Sequence, residues 1–207
     1  MAFTITVALL KGGVGKTTTA VALAEAASHG GRVTLIDADP MGSAYRWSML
    51  AASVDKPLRC TVIAQAESNL ARSIGPAALG ADVVVIDSPP PGALRFAESA
   101  IEAADFVVMP VPPQKADLDR VSATVERTRK HGKPVGAVLN MVRAGLAERD
   151  ATVSTLHTWG VPVFATELPL TVAVERNYGQ PVTGVLARYG FDLMTEVLKQ
   201  WKAAQHG

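Results

Sequence analysis

The chain has 207 residues, 48% of them hydrophobic and only 5% aromatic, long enough for one domain around an aliphatic core. A formal net charge of +1 gives no global basic signature for nucleic acid, and the single Cys60 excludes an intrachain disulfide or two-cysteine metal ligation. No apolar run approaches the roughly 18 residues of a membrane span, and the N-terminus lacks a charged-then-apolar signal, so a cytoplasmic protein is expected. Charge is nevertheless uneven. Residues 1–114 carry 8 Lys+Arg against 10 Asp+Glu, whereas residues 115–207 carry 12 against 9.

In chain order, the apolar run 3–9 reads as a strand and the alanine-rich stretch 17–29 as a helix. Between them lies Lys11-Gly12-Gly13-Val14-Gly15-Lys16-Thr17-Thr18. Strand, glycine loop and helix together make a phosphate cradle. The glycines let backbone N–H groups turn inward around a polyphosphate, and the helix N-terminus adds a partial positive charge. In such a loop Lys16 reaches the β- and γ-phosphates and the Thr17 hydroxyl is placed for Mg²⁺. The strict pattern G-x-x-x-x-G-K-[ST] wants glycine at position 10. Leu10 stands there, followed by an additional lysine, Lys11.

Further strands are expected at 33–36, 58–63, 83–86, 106–109, 135–139 and a short 163–164, with helices at 43–52, 67–74, 94–103, 117–131, 148–158 and 190–204. Prolines fall at or beside the element ends, and no repeat or linker interrupts the series. Alternating β and α with short connections predicts an α/β fold: a doubly wound, mostly parallel sheet flanked by helices, as one domain over 1–207. Ligands in such a sheet bind beyond the carboxyl ends of the strands. Asp37, Asp39 and Asp87 fall there. Asp87, ending an apolar strand downstream of a phosphate loop, is the carboxylate that holds Mg²⁺. Asp37 and Asp39 also suit an Asx turn or helix cap before Pro40.

The lysine-led form K-G-G-x-G-K-T-T resembles the deviant Walker A loop of the ParA/MinD family of P-loop ATPases. The resemblance implies ATP and Mg²⁺ as cofactors and a nucleotide site of Lys11, Gly12, Gly13, Val14, Gly15, Lys16, Thr17 and Thr18. It makes Lys11 the signature lysine that reaches across a dimer interface to the partner's nucleotide; the alternative is a solvated loop lysine. Asp37-Ala38-Asp39-Pro40 is similar to the family's D-x-D-P segment, which gives Asp39 the attacking water and Asp37 a place in the Mg²⁺ shell with Thr17 and Asp87. Asp87-Ser88-Pro89-Pro90 resembles its D-x-P-P element, and Asp105 to Val111 its next strand. Val138-Leu139-Asn140 matches a strand whose terminal Asn140 contacts the adenine; the alternative is a turn asparagine. Leu168-Pro169 and Gly179-Gln180-Pro181-Val182 match segments that close over the base and shape the dimer face. Lys11, Lys16 and Asp39 are thereby the catalytic candidates, and Pro169 joins the nucleotide set. The matches run from about residue 3 to residue 200.

Among the branches of that family, iron-sulfur carriers need cysteines that are lacking here. Relatives of the MinD type end in an amphipathic membrane helix, and Phe191, Met194, Val197, Leu198 and Trp201 have helical spacing. Yet Asp192 and Glu196 interleave with Lys199 and Lys202, so packing on the sheet is expected and a membrane partner is not. The remaining branch is the compact ParA partition ATPase, here expected without a leading helix-turn-helix. It implies an ATP-dependent homodimer or higher-order polymer, sequence-independent DNA binding over the nucleoid, and a small centromere-binding partner that stimulates hydrolysis. Such DNA binding needs only a few cations doubled by dimer symmetry. Arg143, Arg149, Arg176, Arg188, Lys199 and Lys202 are the candidates; the alternative for each taken singly is a solvated surface charge. The alternative function is a MinD-like or cargo-positioning ATPase on a membrane or protein surface.

Overall fold

The computed structural model describes residues 2–143 and 147–205. Its valine- and isoleucine-rich runs form seven strands: β1 (Phe3–Val7), β2 (Val33–Asp37), β3 (Thr61–Ala64), β4 (Val83–Asp87), β5 (Phe106–Val111), β6 (Val135–Val142) and β7 (Val163–Pro169). They pair in parallel in the order β3-β2-β4-β1-β5-β6-β7. The helices are α1 (Lys16–Ala27), α2 (Ser43–Ser53), α3 (Leu70–Ala78), α4 (Leu94–Ala103), α5 (Leu118–Lys130), α6 (Ala147–Thr158), α7 (Val172–Glu175) and α8 (Gly184–Ala204).

Alternate residues of each strand serve opposite faces, which is why the runs are apolar throughout. On one face Ile5, Val7, Leu35, Val85, Val108 and Val138 meet Ala20 and Leu23 of α1, Trp47 of α2 and Leu193 and Val197 of α8. On the other, Val84 and Ile86 pack with Leu70 and Ala100, while Val107, Met109 and Leu139 pack with Val121, Val125 and Leu156. α1 and α8 touch so closely that a Cβ on Gly190 would lie 2.3 Å from the Ala22 carbonyl oxygen. Only glycine fits there.

The strand register positions the site. Val7 stands opposite Asp87 on β4, and Asp87 opposite Asp37 on β2. The glycine loop, leaving β1 just after Val7, therefore emerges beside both carboxylates. The expected strands and helices are all present, but β3 starts at Thr61 rather than 58, α3 spans Leu70–Ala78 rather than 67–74, and β6 runs on to Val142 rather than 139. Three further differences stand out. β7 runs to Pro169, because its exposed Ala165 and half-buried Glu167 hide it from an apolar-run reading. α8 begins at Gly184 rather than 190, and its added first turns bury Leu186 and Tyr189 against the core. The short α7 was not expected; the Thr171 hydroxyl accepts the N–H of Val174 at its start.

Candidate functional site

The loop is anchored by Val14, buried among Ala8, Leu9 and Val107, while Gly12 and Gly13 are exposed. Gly15 precedes α1 with φ 85°, a left-handed conformation that a side chain would strain, and a Cβ there would come within 2.9 Å of Asn140 Nδ2. Beyond it the first N–H groups of α1 lack intrahelical acceptors, which gives the helix start its affinity for anions. Lys16 is buried, and its ammonium donates to the Lys11 carbonyl at 2.7 Å. Burial pulls the Lys16 pKa below its ordinary value, against the opposing pull of Asp87 and Asp39. An incoming polyphosphate relieves that burden by supplying negative charge.

Thr17 Oγ1 donates to Asp87 Oδ2 at 2.7 Å. Asp87 Oδ1 is buried and has no hydrogen-bond partner among the described residues. Burial is the chief cause that pushes the Asp87 carboxyl up to about 7; Asp37 and Asp39 add to it, while Thr17 and Lys16 oppose. An orphaned carboxylate oxygen beside a threonine hydroxyl is a hard-oxygen donor pair of the kind Mg²⁺ takes. These residues fit the ion. Asp37 is also fully buried, but both of its oxygens are engaged, by Asp39 N at 3.2 Å and Tyr45 N at 2.8 Å. Burial raises its pKa, with those N–H donors pulling the other way. Asp37 thus shapes the turn into α2 and stands beside Asp87 in the strand register. Asp39 is half-buried, and its Oδ1 accepts from Met41 N at 2.9 Å. Both aspartates thus hold the turn that leads from β2 into α2.

A cavity of about 280 Å³ opens beside Gly15 and Thr18, walled by Trp47, Leu168, Pro169, Leu170, Val174, Tyr178 and Glu175 and floored by Asn140 and Met141. It is apolar and flanked by aromatic rings, with Trp47 and Tyr178 centroids 5.4 Å apart, and so accepts a planar base. Met141 holds φ 58°, costing about 1 kcal/mol or more of backbone strain beside Asn140. Asn140 is buried: its Nδ2 donates to Val14 O at 3.2 Å and to Thr19 Oγ1 at 3.0 Å.

Lys11 forms an ion pair with Asp117, which is buried at the start of α5. The candidate DNA-contacting cations are distributed over α6, α8 and the segments after β6 and α7. Arg149 pairs with Glu167 and Asp150, and Arg188 with Asp192 at 3.5 Å. Arg143 and Arg176 are exposed after β6 and α7. Lys199 and Lys202 lie about three and four turns along α8 from Arg188, near Trp201, whose ring centroid is 4.2 Å from that of Phe3. Sequence reading missed Asp117, Trp47, Tyr178 and Tyr189. Asp117 meets Lys11 across 106 positions, and nothing local to it signals that meeting.

Residues 5–182 match the family described as the CobQ/CobB/MinD/ParA nucleotide binding domain. Maintenance of carboxysome distribution protein A of Halothiobacillus neapolitanus is 33% identical over 181 residues, covering 85% of this chain and 83% of that one. The chromosome-partitioning ATPase Soj of Thermus thermophilus is 30% identical over 206 residues, 81% of each chain. Among solved structures, the septum site-determining protein MinD of Pyrococcus horikoshii, complexed with Mg-ADP, has the same fold at a TM-score of 0.78 and 19% identity, covering 97% of both chains. Apo McdA of Cyanothece superposes at 0.75 with 16% identity, over 99% of this chain and 100% of that one.

Proposed function

The chain belongs to the CobQ/CobB/MinD/ParA family of nucleotide-binding ATPases, and from that premise we propose that it acts as one ATP-switched positioning domain over residues 1–207. The observation that carries the reading is the convergence of Lys16, Thr17 and the orphaned Asp87 oxygen at one loop, beside a cavity sized for a base. Lys16 holds the β- and γ-phosphates, the cavity holds adenine over Asn140 and against Pro169, and Thr17 and Asp87 hold Mg²⁺ with Asp37 behind them. Bound Mg²⁺ neutralises charge on the triphosphate. Asp39 orients the attacking water, since phosphoryl transfer asks for positioning and charge neutralisation rather than covalent chemistry. Lys11 reaches the nucleotide of a second copy, so that ATP switches the chain from monomer to dimer.

In the dimer, duplicated cations bind DNA without sequence preference, and a partner protein stimulates hydrolysis and carries the cargo over the nucleoid. The cargo is a plasmid or chromosome in this reading. A second reading, a protein body as cargo, is favoured by two relatives named for carboxysome distribution, 33% and 35% identical over 80% or more of this chain. Membrane action is disfavoured because most of the apolar side of α8 is already used: Met194 and Val197 are buried, and Leu198 and Trp201 pack on the same core, which leaves Phe191 exposed beside His29. Among the described residues no helix is long and apolar enough to cross a membrane.

Cosedimentation tests the switch. The chain is expected to pellet with non-specific DNA only with Mg-ATP, to lose that binding as salt rises, and to stay in the supernatant when anionic liposomes are pelleted. Nucleotide-independent DNA binding, or ATP-dependent pelleting with liposomes, overturns the reading.

A further inference from the structure

Four groups from four parts of the chain close a buried polar network. Tyr189 OH donates to Asn140 Oδ1 at 2.9 Å, Asn140 Nδ2 donates to Thr19 Oγ1 at 3.0 Å, and the Thr19 and Tyr189 hydroxyls lie 3.0 Å apart. The second Asn140 N–H goes to the Val14 carbonyl in the glycine loop. Donor and acceptor roles follow by elimination. A carbonyl can only accept, so Val14 fixes the nitrogen end of the Asn140 amide. The Tyr189 proton is then used on Oδ1, which leaves Thr19 to donate to the Tyr189 oxygen. The ring Asn140–Thr19–Tyr189 runs in one sense, each hydroxyl both giving and receiving.

We propose that Tyr189 is a positioning residue that sets the base preference of the nucleotide site through Asn140. The proposal rests on the reading above that Asn140 meets the base. Both amide donors of Asn140 are spent inside the protein. What it retains for a ligand is a lone pair on Oδ1, an acceptor. An acceptor at the cavity floor favours a base carrying an exocyclic amine and opposes one carrying a carbonyl there. That acceptor is held only if both ends of the amide are tied, the nitrogen by Val14 and Thr19 and the oxygen by Tyr189.

The hydroxyl is delivered rigidly. Tyr189 is buried, and the next residue, Gly190, lies against Ala22 with no room for a Cβ, so α8 cannot slide along α1. Burial also raises the Tyr189 pKa, so the group stays a neutral donor across the working range of pH. Tyr189 thus links the last helix to the loop and cavity by hydrogen bonds, without itself lining the cavity.

The test compares affinities for ATP and inosine triphosphate, which differ at the amine, by calorimetry with Mg²⁺ in the parent, Tyr189→Phe, Thr19→Val and Asn140→Ala. The parent is expected to prefer ATP by about tenfold or more. Tyr189→Phe removes one hydroxyl and keeps the ring, and should bring that ratio down by at least about fivefold. Thr19→Val, breaking the ring from α1, should move the ratio in the same direction. If Tyr189→Phe keeps the parent's ratio while Asn140→Ala loses it, the proposal fails and base reading at Asn140 stands. If Asn140→Ala keeps the ratio, or the parent shows no preference, both fail together. A fall in thermal stability and in both affinities with the ratio unchanged makes Tyr189 purely structural, which also overturns the proposal.

Discussion

Lys11 and Asp117 are ion-paired within a single subunit, across 106 positions of sequence. Asp117 is 3% exposed at its side chain and Lys11 35%, and the second Asp117 oxygen has no hydrogen-bond partner among the described residues. The lysine assigned to the partner's nucleotide is therefore the main neutralising charge on a buried carboxylate of its own chain. Lys11→Ala should destabilise the monomer by about 1–3 kcal/mol, discounted toward the lower value because Lys11 is partly solvated. The double variant Lys11→Ala/Asp117→Ala should recover most of that loss. Thermal denaturation without nucleotide checks it; equal stability of the parent and the single variant would mean that the pair contributes nothing.

Lys16→Ala removes the one ammonium buried inside the loop. Affinity for Mg-ATP should fall by two orders of magnitude or more, on the order of 3 kcal/mol, with little loss of fold stability, because desolvation already burdens that charge. Calorimetric titration measures it. Undiminished affinity would detach the loop from phosphate binding.

Asp87 has its folded pKa raised from 3.8 to about 7, so the fold favours its protonated form. Its contribution to stability is then full below about pH 4 and is lost as pH rises through about 7. Without nucleotide and Mg²⁺, the protein should be less stable at pH 8 than at pH 5 through this group, and Asp87→Asn should flatten that decline. Asp37 is shifted in the same sense, so the flattening is partial. Chemical denaturation at the two pH values decides it; an unchanged pH profile in Asp87→Asn contradicts the assignment. The same variant should lose the Mg²⁺ dependence of nucleotide binding.

Asp39→Ala should bind Mg-ATP normally, hydrolyse it at least about tenfold more slowly, and accumulate the ATP-bound dimer. Turnover and light scattering read the two effects. Normal turnover would leave Asp39 as the turn residue that accepts from Met41 N.

Much of this was legible in the sequence because its causes are local. Lys16, Thr17 and Asp87 were assigned from a glycine loop and an apolar strand end, and the parallel register then brings those positions side by side. The continuous Val/Ile runs gave the strands because both faces of the sheet are covered. What escaped depends on pairings distant in sequence. Asp117 is an ordinary residue before a helix until the fold sets it against Lys11. Tyr189 sits immediately before a helix that was expected to start at 190, and only the crossing of α8 over α1 brings its hydroxyl to Asn140 and Thr19. Arg149 and Arg188 looked like free cations, and the structure gives both carboxylate partners.

Sedimentation velocity with a slowly hydrolysed ATP analogue and Mg²⁺ tests the ATP switch most directly, run on the parent and on the Lys11→Ala/Asp117→Ala variant, which removes the signature lysine without stranding a buried carboxylate. The account predicts that the parent sediments as a dimer with the analogue and as a monomer without it, and that the variant binds the analogue yet stays monomeric. A variant that dimerises as well as the parent, or a parent that remains monomeric with the analogue bound, would contradict it.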